Sequence, residues 1–96
     1  MTKKSTATIK RRDDPNADFP LTDAEFERGH GAMLARRARA VTGLSQNAFA
    51  KRFGIPAATL RDWEQGRRAP DAATQSYLRV IARMPDTVSE ALHDAA

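Results

Sequence analysis

Apolar side chains recur along this chain at helical spacing. In residues 32–42, Leu34, Ala38 and Val41 stand at i, i+4 and i+7, which places them on one stripe of an α-helix. Arg36, Arg37 and Arg39 fall largely off that stripe. Two shorter amphipathic segments come next, 46–53 and 57–65. Phe49, Ala50 and Phe53 share the inner face of the first, and Leu60 and Trp63 that of the second. Ala57, Ala58, Arg61, Asp62 and Gln65 are left pointing outward. Residues 71–84 predict a helix with two apolar faces, Thr74, Leu78, Ile81 and Ala82 on one and Ala73, Tyr77, Val80 and Met84 on the other. A helix apolar nearly all round must be covered all round. In so short a chain one face covers the core, and the other is left for a second copy, a different protein or cover by residues 19–30. A last short helix, 87–94, points Val88, Ala91 and Leu92 inward.

The boundaries of these segments carry their own signals. Thr22 followed by Glu25 is a capping box and starts a helix. Gly29 and Gly31 weaken the middle of that helix, because each costs up to about 1 kcal/mol relative to Ala. They predict either a break at 29–31 or a helix held by packing. Gly43 is a C-terminal stop, and Ser45 and Asp71 are good N-caps. Gly54 comes after Phe53 where a positive φ is cheap for glycine, and Pro56 suits a first helical turn. Gly66 ends the second short helix; Pro85 breaks the long apolar one, and Asp86 recaps the chain. Residues 1–18 are polar, mixed in charge and poor in large apolar groups, so they read as a disordered arm. The division is therefore an arm at 1–18, a helical partner-binding segment at 19–31 and a folded unit at 32–94.

Charge changes the picture through its distribution. The net charge is +4. Residues 28–68 carry nine basic side chains against Asp62 and Glu64, a net of +7, while 19–27 and 69–96 carry −3 and −2. A basic middle between acidic shoulders is an electrostatic footprint for a polyanion. There are no cysteines, which excludes thiol catalysis, disulfides and cysteine-based zinc sites and points to a reducing compartment. No run is long enough to cross a bilayer, and the charged N-terminus lacks the apolar stretch of a secretory signal. His30 and His93 lie far apart with no nucleophile elbow, phosphate loop or metal-ligand spacing around them. No enzyme, metal or cofactor is implied, and the expected location is the cytoplasm, at the nucleoid.

The stretch LSQNAFAKRFGIPAATLRDWEQGRRAP, residues 44–70, joins two short helices through Gly54-Ile55-Pro56. Two helices close together across a short turn containing glycine are the sequence form of a helix-turn-helix. With the pattern Gln46, Ala50, Gly54, Leu60, Trp63, Glu64 and Gly66, it resembles the repressor-type helix-turn-helix family of the phage Cro-type repressors. The passage from TLRDWEQGRRAP through YLRVIARMP is similar to HigA-type antitoxins of toxin–antitoxin modules. The resemblance covers residues 32–85. It implies an all-α, five-helix DNA-binding domain that works as a homodimer on a palindromic operator in double-stranded DNA. It also implies an ion pair between Arg39 and Glu64, which makes Arg39 a brace.

In that docking mode the second short helix enters the major groove with its N-terminal residues at base edges. Ala57 and Ala58 are placed to pack on thymine methyls. Arg61 is placed for a bidentate contact to guanine, and Asp62 to accept from cytosine or to orient Arg61. Gln46, Lys51, Thr59, Arg67 and Arg68 are expected on the DNA backbone. Tyr77, Val80, Met84, Val88 and Leu92 are expected to form the dimer interface. Two functions remain open at this stage. One is an antitoxin that represses its own operon and neutralises a RelE/ParE-like toxin through its N-terminal region. The other is a stand-alone repressor with no toxin.

Overall fold

The computed structural model describes residues 21–93, and the expected arm at 1–18 lies outside them. The described residues form five α-helices and no strand: α1 Asp23–Thr42, α2 Gln46–Phe53, α3 Ala57–Glu64, α4 Ala72–Arg83 and α5 Pro85–His93. The long α1 packs against both α3 and α4, and α2 crosses α3. Their shared core is Leu34, Ala35 and Ala38 from α1, Phe49, Ala50 and Phe53 from α2, Leu60 and Trp63 from α3, and Leu78 and Ile81 from α4, with Ile55 from the turn.

Helix α1 starts on the capping box: the Glu25 amide donates to Thr22 Oγ1 at 3.0 Å, and the Thr22 amide donates to Glu25 Oε1 at 2.9 Å. The bonds from the Thr22 amide and hydroxyl, helped by the charge of Arg28, hold the Glu25 carboxyl below its usual range. The helix runs unbroken through both glycines, so the expected boundary between 31 and 32 falls in mid-helix. Packing explains the continuity at Gly31, which is buried against the Pro70 ring: a Cβ there would clash with Cδ and lie 3.1 Å from Cγ.

Two readings of the apolar pattern need correction. Val41 has the right helical angle to continue the α1 stripe but is 51% exposed. Beyond the left-handed turn at Gly43 (φ 72°), Leu44 packs on the core instead. At the other end of the chain, Pro85 is the first residue of α5, and Asp86 does not recap the chain. The turn is made by Met84 (φ −141°, ψ 62°), leaving Pro85 where a helix needs no N–H. Only Val88 of the three expected inward residues of α5 packs on the core; Ala91 and Leu92 are exposed. The amphipathic split of α4 is clear, with Leu78 and Ile81 fully buried and Val80 and Met84 exposed.

Candidate nucleic-acid interface

Three features set the angle between α2 and α3. Ser45 caps α2 by accepting from the Ala48 amide at 3.1 Å. Gly54 takes φ 72°, and the Ile55 amide returns to the Ala50 carbonyl at 2.9 Å. Ala50, 2% exposed, sits where α3 must approach closely. A side chain larger than a methyl group would spread the pair apart.

A polar brace locks this unit to α1. Glu64, at the end of α3, is 4% exposed. Arg39 grips it with two bonds, Nε to Oε2 at 2.8 Å and Nη2 to Oε1 at 3.0 Å, and donates a third to the Leu44 carbonyl at 3.1 Å. Gln46 Nε2 donates to Glu64 Oε1 at 3.2 Å, and Arg36 donates to the Glu64 carbonyl. Burial pushes the Glu64 carboxyl up, but the bonds from Arg39 and Gln46 and the charges of Arg39 and Arg36 outweigh it and hold the group below its usual range. One carboxylate thus ties the last turn of α1, the start of α2 and the end of α3.

Gln46, expected on the DNA backbone, is half-buried with its side-chain NH2 turned into the brace. Arg36 is a brace residue that sequence reasoning missed. Its signal was present, since Arg36 and Arg39 stand three apart and share a helix face.

The outward side of α3 presents Ala58, Arg61 and Gln65, all exposed. Ala57, expected to point outward with them, is half-buried and packs on the core. Arg61 Nη1 donates to Asn47 Oδ1 at 3.4 Å. Asp62 does not orient Arg61; it faces Arg68 Nε at 3.3 Å and Arg67 Nη1 at 3.8 Å. Orientation of Arg61 therefore falls to Asn47, an exposed residue in the first turn of α2 that the sequence pattern did not single out. Thr59 Oγ1 accepts from Arg68 Nη2 at 3.3 Å.

The chain after α3 doubles back at Gly66 (φ 73°), and the Arg67 and Arg68 amides bond the Asp62 carbonyl at 2.8 and 3.4 Å. Arg61, Arg67, Arg68 and Thr59 are thereby gathered around one short helix, and Lys51 stands exposed on α2. Arg67 and Arg68 keep side-chain exposures of 70% and 59%. Exposed pairs of this kind are worth about 0–1 kcal/mol, so they exchange readily for a phosphate.

The residues expected at a dimer interface lie on α4 and α5. Val80, Met84 and Leu92 are 41–50% exposed, whereas Val88 and Tyr77 are half-buried. The Tyr77 hydroxyl is already spent inside the chain, donating to the Phe53 carbonyl at 2.7 Å, and burial raises its phenol above the usual value. Among the described residues no group of three or more histidines and carboxylates could hold a metal ion, and no helix is long and apolar enough to cross a membrane.

Comparison with known proteins agrees with this geometry. A helix-turn-helix domain family matches residues 32–95. Over 46 residues the chain is 35% identical to antitoxin HigA-2 of Vibrio cholerae serotype O1, an alignment covering 48% of this chain and 44% of that protein. No solved structure matches the chain.

Proposed function

The chain belongs to the helix-turn-helix domain family, and from that premise we propose that it is a sequence-specific, double-stranded-DNA-binding repressor that acts as an antitoxin. The observation that carries the reading is the exposed cationic side of α3, with Arg61 on its outer face and Arg67 and Arg68 folded back beside it on a braced α2–α3 pair. In the major groove, Ala58 packs on a thymine methyl and Arg61, held by Asn47, reaches a guanine edge. Lys51, Arg67, Arg68 and Thr59 settle on phosphates, which position the helix without reading sequence. Ala57 and Asp62 act behind them, one as packing under the helix and the other as the anchor of the two arginines.

A homodimer formed through the exposed Val80, Met84 and Leu92, with Val88 and Tyr77 behind them, presents two copies of α3 to a palindromic operator. Half-sites one DNA turn apart require those helices to stand about 34 Å from one another. The likeness to an antitoxin supports the second part of the proposal. Residues 1–31 bind and neutralise a RelE/ParE-like toxin, and the same protein represses the operon that encodes both, in the cytoplasm at the nucleoid.

Two measurements test the two parts. In a gel shift, the full chain is expected to retard its own upstream DNA at concentrations that leave random duplex free; equal retardation of both rejects the operator reading. In growth assays, co-expression is expected to relieve arrest by a small toxin encoded beside the chain's own gene. Retardation of operator without relief of any neighbouring gene product leaves a stand-alone repressor.

A further inference from the structure

Helices α1 and α4 leave between them a groove of about 300 Å³ lined by no residue of α2 or α3. Its floor is apolar, including Leu34 and Leu78, and its rim is cationic, with Arg37 from α1 and Arg79 and Arg83 one turn apart on α4. Arg79 Nη2 lies 3.3 Å from His30 Nε2, and His30 is stacked on Phe26 with ring centroids 6.0 Å apart. Phe26 and Met33 are 57% and 46% exposed and continue the apolar strip toward the start of α1. Among the described residues, Arg37, Arg79 and Arg83 are in no ion pair, and neither is Arg61 on α3, but only the groove arginines stand around an apolar floor. An apolar floor inside three such arginines is complementary to an acidic segment carrying a large apolar side chain.

The chain itself contains one beside this groove. Residues 13–21 read DDPNADFPL, three aspartates followed by Phe19 and Leu21. Leu21, the first described residue, is 68% exposed. From the start of α1 to Arg37 is about 21 Å at 1.5 Å per residue. The nine residue steps from Asp13 to Thr22 span up to about 30 Å when extended. The aspartates can therefore fold back along α1 as far as Arg37 with slack. The basic side of α3 offers its arginines without an apolar floor, since Ala58 presents only a methyl group there.

We infer that the α1–α4 groove is the seat of residues 13–19 of the same chain, with Phe19 on the apolar floor and the aspartates against Arg37, Arg79 and Arg83. Seating is independent of DNA binding. It gives the N-terminal region two states, seated and released, and any partner that grips that region must first lift it from the groove.

The absence of cysteine from the sequence makes the test clean. Full-length protein carrying Ala17→Cys is labelled with a nitroxide, and amide relaxation is read by NMR. Broadening is expected at His30, Met33 and Arg37 and at Arg79 and Arg83, and not at Ala58 or Arg61. Reversal at Arg79→Glu with Arg83→Glu is expected to abolish it, as is reversal at Asp13→Lys, Asp14→Lys and Asp18→Lys. The second set leaves every described residue unchanged, so a folding defect in the first cannot mimic the result. Combining the two sets is expected to restore the broadening. The seat is rejected if broadening is uniform, centres on α3, or survives either reversal. It is also rejected if broadening appears only between labelled and unlabelled copies, which would make the occupant a second molecule.

Discussion

The α3 surface and the α1–α4 groove are both rimmed with arginine, and they differ in what those arginines touch. Beside α3, Asp62 faces Arg67 and Arg68, and Arg61 rests on Asn47. Behind it the buried Glu64 is gripped by Arg39. In the groove, Arg37, Arg79 and Arg83 surround apolar side chains with no carboxylate among the described residues. The first arrangement holds cations in set positions at little energetic cost and offers them to a rigid polyanion. The second leaves apolar area and charge unmatched together, which favours an amphipathic segment over a phosphate backbone. Burial sets the brace apart: Arg39 is half-buried against a buried acid, whereas Arg61, Arg37, Arg79 and Arg83 are all exposed, and only their surroundings distinguish the reading and docking roles proposed for them.

Loss of the brace should have the largest effect. Removing one partner of a fully buried ion pair costs about 3–5 kcal/mol. Because the Arg39 side chain keeps 31% exposure, Glu64→Ala is expected to cost about 2–3 kcal/mol in urea unfolding. Asp62→Ala, which removes only exposed partners, should cost less than about 1 kcal/mol. Equal losses would erase the distinction between brace and surface. The same carboxylate sets an acid limit. Its folded pKa is lowered, so its contribution is fully present above the unfolded value of about 4.3 and is lost as pH falls through the lower folded value. Glu64→Gln should remove that part of the acid-induced loss, which stability curves between pH 7 and pH 3 would reveal.

On DNA, the comparison predicts three different outcomes for three arginines. Arg61→Ala is expected to cost about 1–3 kcal/mol on the operator and to relax preference at one base pair. Arg68→Ala should weaken operator and random duplex alike and reduce the slope of log affinity against log salt by about one unit. Arg79→Ala, on the groove, should leave both quantities unchanged. Titrations at several salt concentrations separate the three, and identical behaviour of Arg61→Ala and Arg68→Ala would dissolve the division between reading and positioning.

What could be read from the sequence was local. The capping box at Thr22, the caps at Ser45 and Asp71 and the left-handed turns at Gly43, Gly54 and Gly66 each depend on neighbours within a few residues. The helix-turn-helix is built from them and from the apolar spacing of Phe49, Phe53, Leu60 and Trp63. The site was less legible because its partners are distant in sequence. Nothing beside Gln46 in the sequence announces that Glu64, eighteen positions later, accepts from its side-chain NH2. Asp62 could face either way until Gly66 turns Arg67 and Arg68 back onto it. Val41 and Leu92 show a related limit, since periodicity gives the angle of a side chain but not whether another element lies over it.

Two glycines on one helix carry the last pair of predictions. Both looked like weak points, and helix propensity alone favours alanine at either by about 0.8–1.0 kcal/mol. At Gly29 nothing lies within 4 Å of an added Cβ, so Gly29→Ala should stabilise by about 0.5–1 kcal/mol. At Gly31 the methyl group would run into the Pro70 ring, and overpacking costs about 1–3 kcal/mol. Subtracting the propensity gain leaves Gly31→Ala destabilising by up to about 2 kcal/mol. The site matters because Pro70 sits between the Arg67–Arg68 turn beside α3 and the start of α4, so Gly31 is where α1 holds the connection between the two surfaces. Thermal unfolding should therefore move in opposite directions for the two variants. If both raise the midpoint, the Pro70 ring yields without cost and the surfaces are less rigidly joined than the close approach implies.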